Sequence, residues 1–169
     1  MYVTLFELAE RPGAKELAQV ATPERFRIVD AALLDALLRG QDVSSWPAED
    51  VEVAELAKQA IIAEVEAAGG LIDGFLARRG YTLPLTRTYS VVTGWARAIA
   101  RYKLHQARLS TEQNDPIVRD YRDALALLKL VAEGKFSLGT DDPLTPPSSG
   151  APEFSKPPRV FSGGTLRDF

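Results

Sequence analysis

From Pro47 to Arg79 the chain keeps one helical rhythm for longer than anywhere else, and that stretch limits what the rest can build. Val51, Ala54, Ile61, Val65, Ala68, Ile72 and Phe75 step by threes and fours, with one beat skipped at Lys58. Unbroken, this helix is roughly 50 Å long at 1.5 Å per residue. That is long for a chain of 169 residues, and Gly69-Gly70 lies inside it. Each Gly destabilises a helix by about 1 kcal/mol relative to Ala, so the pair predicts a kink or break. Gly70 and Gly74 sit one turn apart, where they either let another helix approach closely or simply relax this one.

The same period governs most of what surrounds it. Thr4 and Glu7 form a T-x-x-E capping box around a short turn that holds Leu5 and Leu8 on one side. Arg11-Pro12-Gly13 breaks the chain, and a second short helix is predicted over about Ala14–Val20. Thr22 then reads as an N-cap and Pro23 as a first helical residue, where the missing N–H is no loss. Phe26, Val29, Leu33, Leu34, Leu37 and Leu38 give that helix its stripe, and Gly40 closes it. Ser45 is the predicted cap of the long helix. After a connector held by Gly80 and Pro84, a helix is expected over about Thr88–Arg108, with Val91, Val92, Trp95, Ala98, Ile99 and Tyr102 inward. Asp115 caps the last helix and Pro116 starts it. Its stripe is Ile117, Tyr121, Ala124, Leu125, Leu128 and Val131, and Gly134 ends it. Strand-type alternation is almost absent over residues 1–139. The fold class is therefore all-α: a helical bundle of four main helices plus short N-terminal helices, with an extended C-terminal tail.

Composition changes sharply after Leu138-Gly139. Six of the chain's 11 Pro fall between Pro143 and Pro158, interleaved with Ser, Thr and Gly. Such a segment buries too little apolar surface to offset the entropy of ordering it. It reads as a linker over 140–158 that reaches tens of ångströms at about 3 Å per residue. Residues 159–169 then return to Val160, Phe161, Leu166 and Phe169, an unexpected apolar finish for a polar stalk. The boundaries expected are 1–139 for a helical domain, 140–158 for the linker and 159–169 for a docking segment.

Charge is uneven. Residues 1–66 hold 13 acids against 6 bases, while residues 67–139 hold 6 acids against 11 bases. A protein with an acidic half and a basic half can bind copies of itself head to tail, or simply carry two solvated faces. The sequence has no Cys, which removes disulfides, thiolate metal sites and Cys nucleophiles and permits a reducing compartment. The opening MYVTLFELAERPG is not signal-peptide-like, and no stretch approaches the roughly 20 apolar residues of a membrane span. A soluble, cytoplasmic protein is expected.

A search for chemistry returns little. His105 is the only histidine, with no carboxylate at a useful sequence offset, and reads as a helix-face residue rather than a base. No nucleophile elbow, P-loop or dinucleotide fingerprint is present. Glu49, Glu52 and Glu55 lie close on one helix without a His partner, as in a solvated acidic face. Arg97, Arg101 and Arg108 form a basic stripe that either pairs with acids on a neighbour or contacts DNA. No cofactor, metal or enzymatic activity is expected.

Several segments in order nevertheless carry a resemblance. MYVTLFEL, GLIDGFLARRGYTLPL (70–85), ARAIARYKLHQ (96–106), DYRDALALLKLVAEGKFSLG (120–139) and RVFSGGTLRDF (159–169) together resemble the head-completion, or head–tail connector (adaptor), proteins of Mu-like tailed phages. Two departures stand out: residues 20–50 look longer and more helical than in that family, and Gly163-Gly164 replaces charged residues. The resemblance implies a structural virion protein that forms a dodecameric ring at the neck, below the portal vertex, after assembly in the host cytoplasm. Its implied partners are copies of itself, the portal protein, a tail or stopper protein, and genomic DNA passing non-specifically through the channel, with no membrane. A closed ring needs two different complementary faces. The candidates are Glu49, Glu52 and Glu55 against Arg97, Arg101 and Arg108, with the arginines lining a DNA channel as the other placement. Arg159, Val160, Phe161, Leu166 and Phe169 are the candidate anchor on the portal or a neighbouring subunit, with Arg159–Ser162 adding a strand to an exposed edge. The competing class is a helical DNA-binding or regulatory protein with a disordered tail.

Overall fold

The computed structural model describes residues 1–87, 89–106, 115–139 and 143. Among these the regular elements are helices: α1 (Leu5–Leu8), a π-helical turn (Ala9–Gly13), α2 (Ala14–Ala21), α3 (Ala31–Leu38), α4 (Ala48–Arg79), α5 (Ser90–His105) and α6 (Pro116–Ala132). The fold is all-α. The docking segment 159–169, most of the linker and Arg108 lie outside the described residues.

The organiser is α4, a continuous helix of 32 residues. Its buried stripe is Ala54, Ala57, Ile61, Val65, Ala68, Ile72 and Leu76, so Ala57 fills the beat that the sequence seemed to skip at Lys58. Along this stripe α4 packs against α2, α3, α5 and α6. Small Ala side chains alternate with Ile and Val, letting neighbours such as Leu33, Leu34, Ile99 and Leu128 reach the axis and bury completely. The helix does not break at Gly69-Gly70. A methyl group added at Gly70 or Gly74 would meet nothing within 4 Å, so neither residue admits a closely approaching helix. Gly80, at φ 98°, ends α4 in the left-handed conformation that favours Gly, with its N–H donating to Leu76 and Ala77 carbonyls.

The first main helix differs from the expectation. Thr22 is not an N-cap: its hydroxyl donates to the Ala18 carbonyl at 2.6 Å and accepts from the Val29 N–H at 3.3 Å. Thr22 thus closes α2 and pins the loop behind it, with its hydroxyl turned to Ala18 and Val29 instead of to the N–H groups of residues 24 and 25. The start moves to Ala31, where the Asp30 carboxylate accepts from the Ala32 N–H at 2.7 Å. Residues 23–30 stay non-helical, and Phe26 is exposed instead of joining the stripe, while Val29 is buried. Ser45 does not cap α4 either. Pro47 occupies the cap position with no side-chain bond, and Glu49 and Asp50 in the first turn oppose the helix dipole instead. Thr4 and Glu7 do form the capping box, and Asp115 caps α6 at 2.8 Å with Pro116 at its start.

Cross-links hold the helices in register. Tyr2 donates to Asp73 on α4, and burial first, then that bond, raises its pKa above the ordinary value. Lys103 on α5 reaches Glu64 on α4 at 3.9 Å. Tyr102 on α5 stacks on Tyr121 of α6 with centroids 3.9 Å apart, and Trp95 meets Phe136 edge-on at 6.1 Å. The Tyr81 hydroxyl accepts from the Leu138 N–H, tying the α4–α5 connector to the segment after α6.

Because α4 is continuous through its glycine pair and Gly70 is exposed with open space at its Cβ position, Gly70→Ala is expected to raise stability by about 1 kcal/mol. Urea unfolding checks this; a destabilised variant would mean that the helix needs glycine there.

Candidate functional site

The N-terminal segment and α5 build the most heavily charged site. At the start of α2, Glu16 faces α5 one turn after the Pro12-Gly13 break, because Gly13 (φ 106°) redirects the chain there. Both Glu16 oxygens accept from Arg101: Nε to Oε1 at 2.6 Å and Nη2 to Oε2 at 2.8 Å. His105, one turn on, places Nε2 2.9 Å from the same Oε1. The Glu16 hydrogen bond raises the Arg101 pKa above its ordinary value, with burial opposing it. The carboxylate missing near His105 in sequence is therefore supplied from 89 residues away. A search by sequence offset could not find it, since only the fold brings α2 to α5.

This arrangement splits the basic stripe. Arg101 is used within the chain as a bidentate clamp between α2 and α5, the strong form of an arginine–carboxylate pair. Arg97, one turn earlier, is different. Its Nε is buried and has no hydrogen-bond partner among the described residues. It stands with Arg11, Pro12, Glu16, Gly94, Ala98, Arg101 and Asp120 around a hollow of about 520 Å³. Gly94 is exposed at its edge, and a methyl group there would meet nothing within 4 Å. Three arginines against two carboxylates leave the hollow positive, with Arg97 and the exposed Arg11 outside any ion pair among the described residues. The Arg97 charge is felt at Glu7, whose carboxyl sits below its ordinary value mainly through the Thr4 N–H and hydroxyl, with Arg97 adding the smallest part.

The acidic candidates divide in the same way. Glu55 pairs with Lys58 at 3.4 Å. Glu49 and Glu52 are exposed, as is Asp50 between them, and none of the three has an ion pair among the described residues. The open acids and the open arginine lie far apart. Helix α5 runs antiparallel to α4, with Lys103 level with Glu64, so Arg97 is level with about residue 70. The intervening turns of α4 separate it from Glu49 by about 30 Å. They cannot meet within one chain. Among the described residues no group of three His, Asp or Glu could hold a metal ion, and no helix is long and apolar enough to cross a membrane.

Compared with known families, the chain matches the family described as Bacteriophage Mu, Gp36 over residues 2–156. No curated protein and no solved structure matches it.

Arg101→Met removes both bonds to Glu16, whose pair is about a quarter exposed. Urea unfolding is expected to show a loss of about 1–2 kcal/mol, the lower part of the range for charge-assisted bonds. Arg97→Met, which has no bond to lose, is expected to change stability by far less. Equal effects would contradict the assignment of Arg101 as the clamp.

Proposed function

The chain belongs to the Bacteriophage Mu Gp36 family of phage proteins, and we propose that it is a structural protein of the virion, forming a ring between the capsid portal and the tail. The observation that carries this reading is the pair of unlike, open charge sites fixed about 30 Å apart on one rigid helix pair. Two different faces that complement each other make a head-to-tail contact, and when the rotation between copies closes, the product is a ring. The Arg97 hollow on one copy receives a carboxylate from the Glu49, Asp50 and Glu52 end of α4 on the next. Charge of this kind sets register and steers encounter more than it adds affinity. Arg101 and Glu55, already paired, keep the two faces in shape, and Arg108 lies outside the described residues.

The ring surrounds the exit channel at the portal vertex and meets the tail or a stopper protein, and DNA passes through it without sequence readout. The Pro-rich linker is the tether, and Arg159, Val160, Phe161, Leu166 and Phe169 are its anchor. Tethering raises the anchor's effective concentration, and the ring repeats the gain in every subunit. The DNA-binding reading leaned on the arginine stripe, but Arg101 is occupied by Glu16 and Asp120 lines the same hollow. Of the described stripe only Arg97 stays open, beside the unpaired Arg11, and two guanidiniums at one hollow suit a carboxylate better than an extended phosphate backbone.

Binding to portal-bearing, tailless heads tests this. Arg97→Glu is expected to leave the helical circular dichroism unchanged and to abolish assembly on heads, and Glu49→Lys with Glu52→Lys is expected to restore part of it. Truncation after Gly139 is expected to keep the helices and lose head binding. Wild-type head binding by both Arg97→Glu and the truncated chain would sink the proposal.

A further inference from the structure

The loop that Thr22 pins behind α2 leaves an unusual surface at the acidic end of α4. Residues 27–30 form no regular secondary structure, and Asp30 is extended at φ −63° and ψ 130°. Among the described residues, the peptide groups of Arg27 and Ile28 make no backbone hydrogen bond. Phe26 and Ile28 are 37% and 53% exposed, large for apolar side chains beside a well-packed core. Together with Trp46, Val53 and the acids Asp30, Glu49, Asp50 and Glu52 they line a groove of about 580 Å³, in which Arg27 is the one cation. The lining is part apolar and, with four carboxylates against Arg27, net acidic, and the Arg27–Ile28 backbone borders it with its peptide groups unpaired to other backbone.

An occupant that satisfies all three is an extended segment carrying a cation beside large apolar residues. This chain has one beyond its described residues, in Lys156-Pro-Pro-Arg-Val-Phe-Ser162. In an added strand, alternate side chains share a face. Arg159 and Phe161 then point the same way, the cation toward the carboxylates and the ring toward Trp46 and Ile28. The backbone meanwhile pairs with the open peptide groups of Arg27 and Ile28. We infer that this groove is the docking site for residues 159–161 of a second copy of the chain.

Reach decides between its own tail and a neighbour's. The chain leaves the described region at Pro143, whose carbonyl accepts from Arg79 Nη2 at 3.0 Å at the far end of α4. From there to the first turn of α4 is about 45 Å at 1.5 Å per residue. The residues from 143 to 159 span about 50 Å when fully extended as polyproline. A chain reaching its own groove has almost no slack. A neighbouring copy offers the same groove without that constraint. Three open carboxylates also exceed what one Arg97 can neutralise, so docking Arg159 does not compete with the ring contact. The inference rests on the ring reading only in taking a second copy to lie close by.

A photo-crosslinking residue placed at position 161 of the full chain tests this, using an equimolar mixture of ¹⁵N-labelled and unlabelled protein read by mass spectrometry. The expected products join position 161 to peptides containing Phe26, Ile28 or Trp46, and mixed-isotope pairs show that they join two chains. Ile28→Asp and Arg159→Glu are each expected to cut their yield by about tenfold or more. Both variants are expected to keep the helical circular dichroism of the unsubstituted chain, which separates a lost contact from a folding defect. Crosslinks confined to one chain, crosslinks elsewhere, or none would overturn the inference. Imaging of heads bearing the unsubstituted, photo-crosslinkable chain separates the two readings: a ring present there, with no groove crosslinks, leaves the ring reading standing and removes this one.

Discussion

Burial of one stripe of α4 holds the described structure together. Ala54, Ala57, Ile61, Val65, Ala68, Ile72 and Leu76 are the seam against which α2, α3, α5 and α6 pack. Since helices this short are marginal alone in water, the seam supplies most of what keeps α2 and α3 helical. It also fixes a length. A helix that runs unbroken from Ala48 to Arg79 holds the acids near its start far from anything level with its later turns. The wide separation between Arg97 and Glu49 is thus a product of core packing, not of surface charge.

Satisfied and unsatisfied charges then sort the surface. Glu16 is taken by Arg101 and His105, Glu55 by Lys58, and Asp35 by Arg39 at 2.8 Å. Among the described residues, the charges left without an ion pair include Arg97 at its hollow and Glu49, Asp50 and Glu52 in the first turns of α4. Exposed pairs add little to stability, so an ion pair between those two places would do little for a monomer. Between copies, the same charges select an orientation.

Much of the helical plan was legible in the sequence because caps and periods are local. The Thr4–Glu7 box, the Asp115-Pro116 start, the Gly80 stop and the α6 stripe each depend on residues within a turn or two of one another. The misreadings share the opposite cause. Thr22 looks like an N-cap by its neighbours, yet Ala18 and Val29 claim its hydroxyl, and the second of these bonds needs the folded loop. Gly69-Gly70 looks like a break, but burial of Ala68 and Ile72 on either side holds the helix through it. The Glu16–Arg101–His105 cluster links positions far apart in the chain, and no spacing rule could foretell it. The groove beside Trp46 exists only because the helix expected at Pro23 starts at Ala31 instead.

Electron microscopy of the full-length protein bound to purified tailless capsids tests the central claim most directly. The account predicts a closed ring of copies coaxial with the portal vertex, with the α4–α5 pair of each copy abutting the next head to tail. Single copies scattered over the capsid shell, or capsids without bound protein, would contradict it.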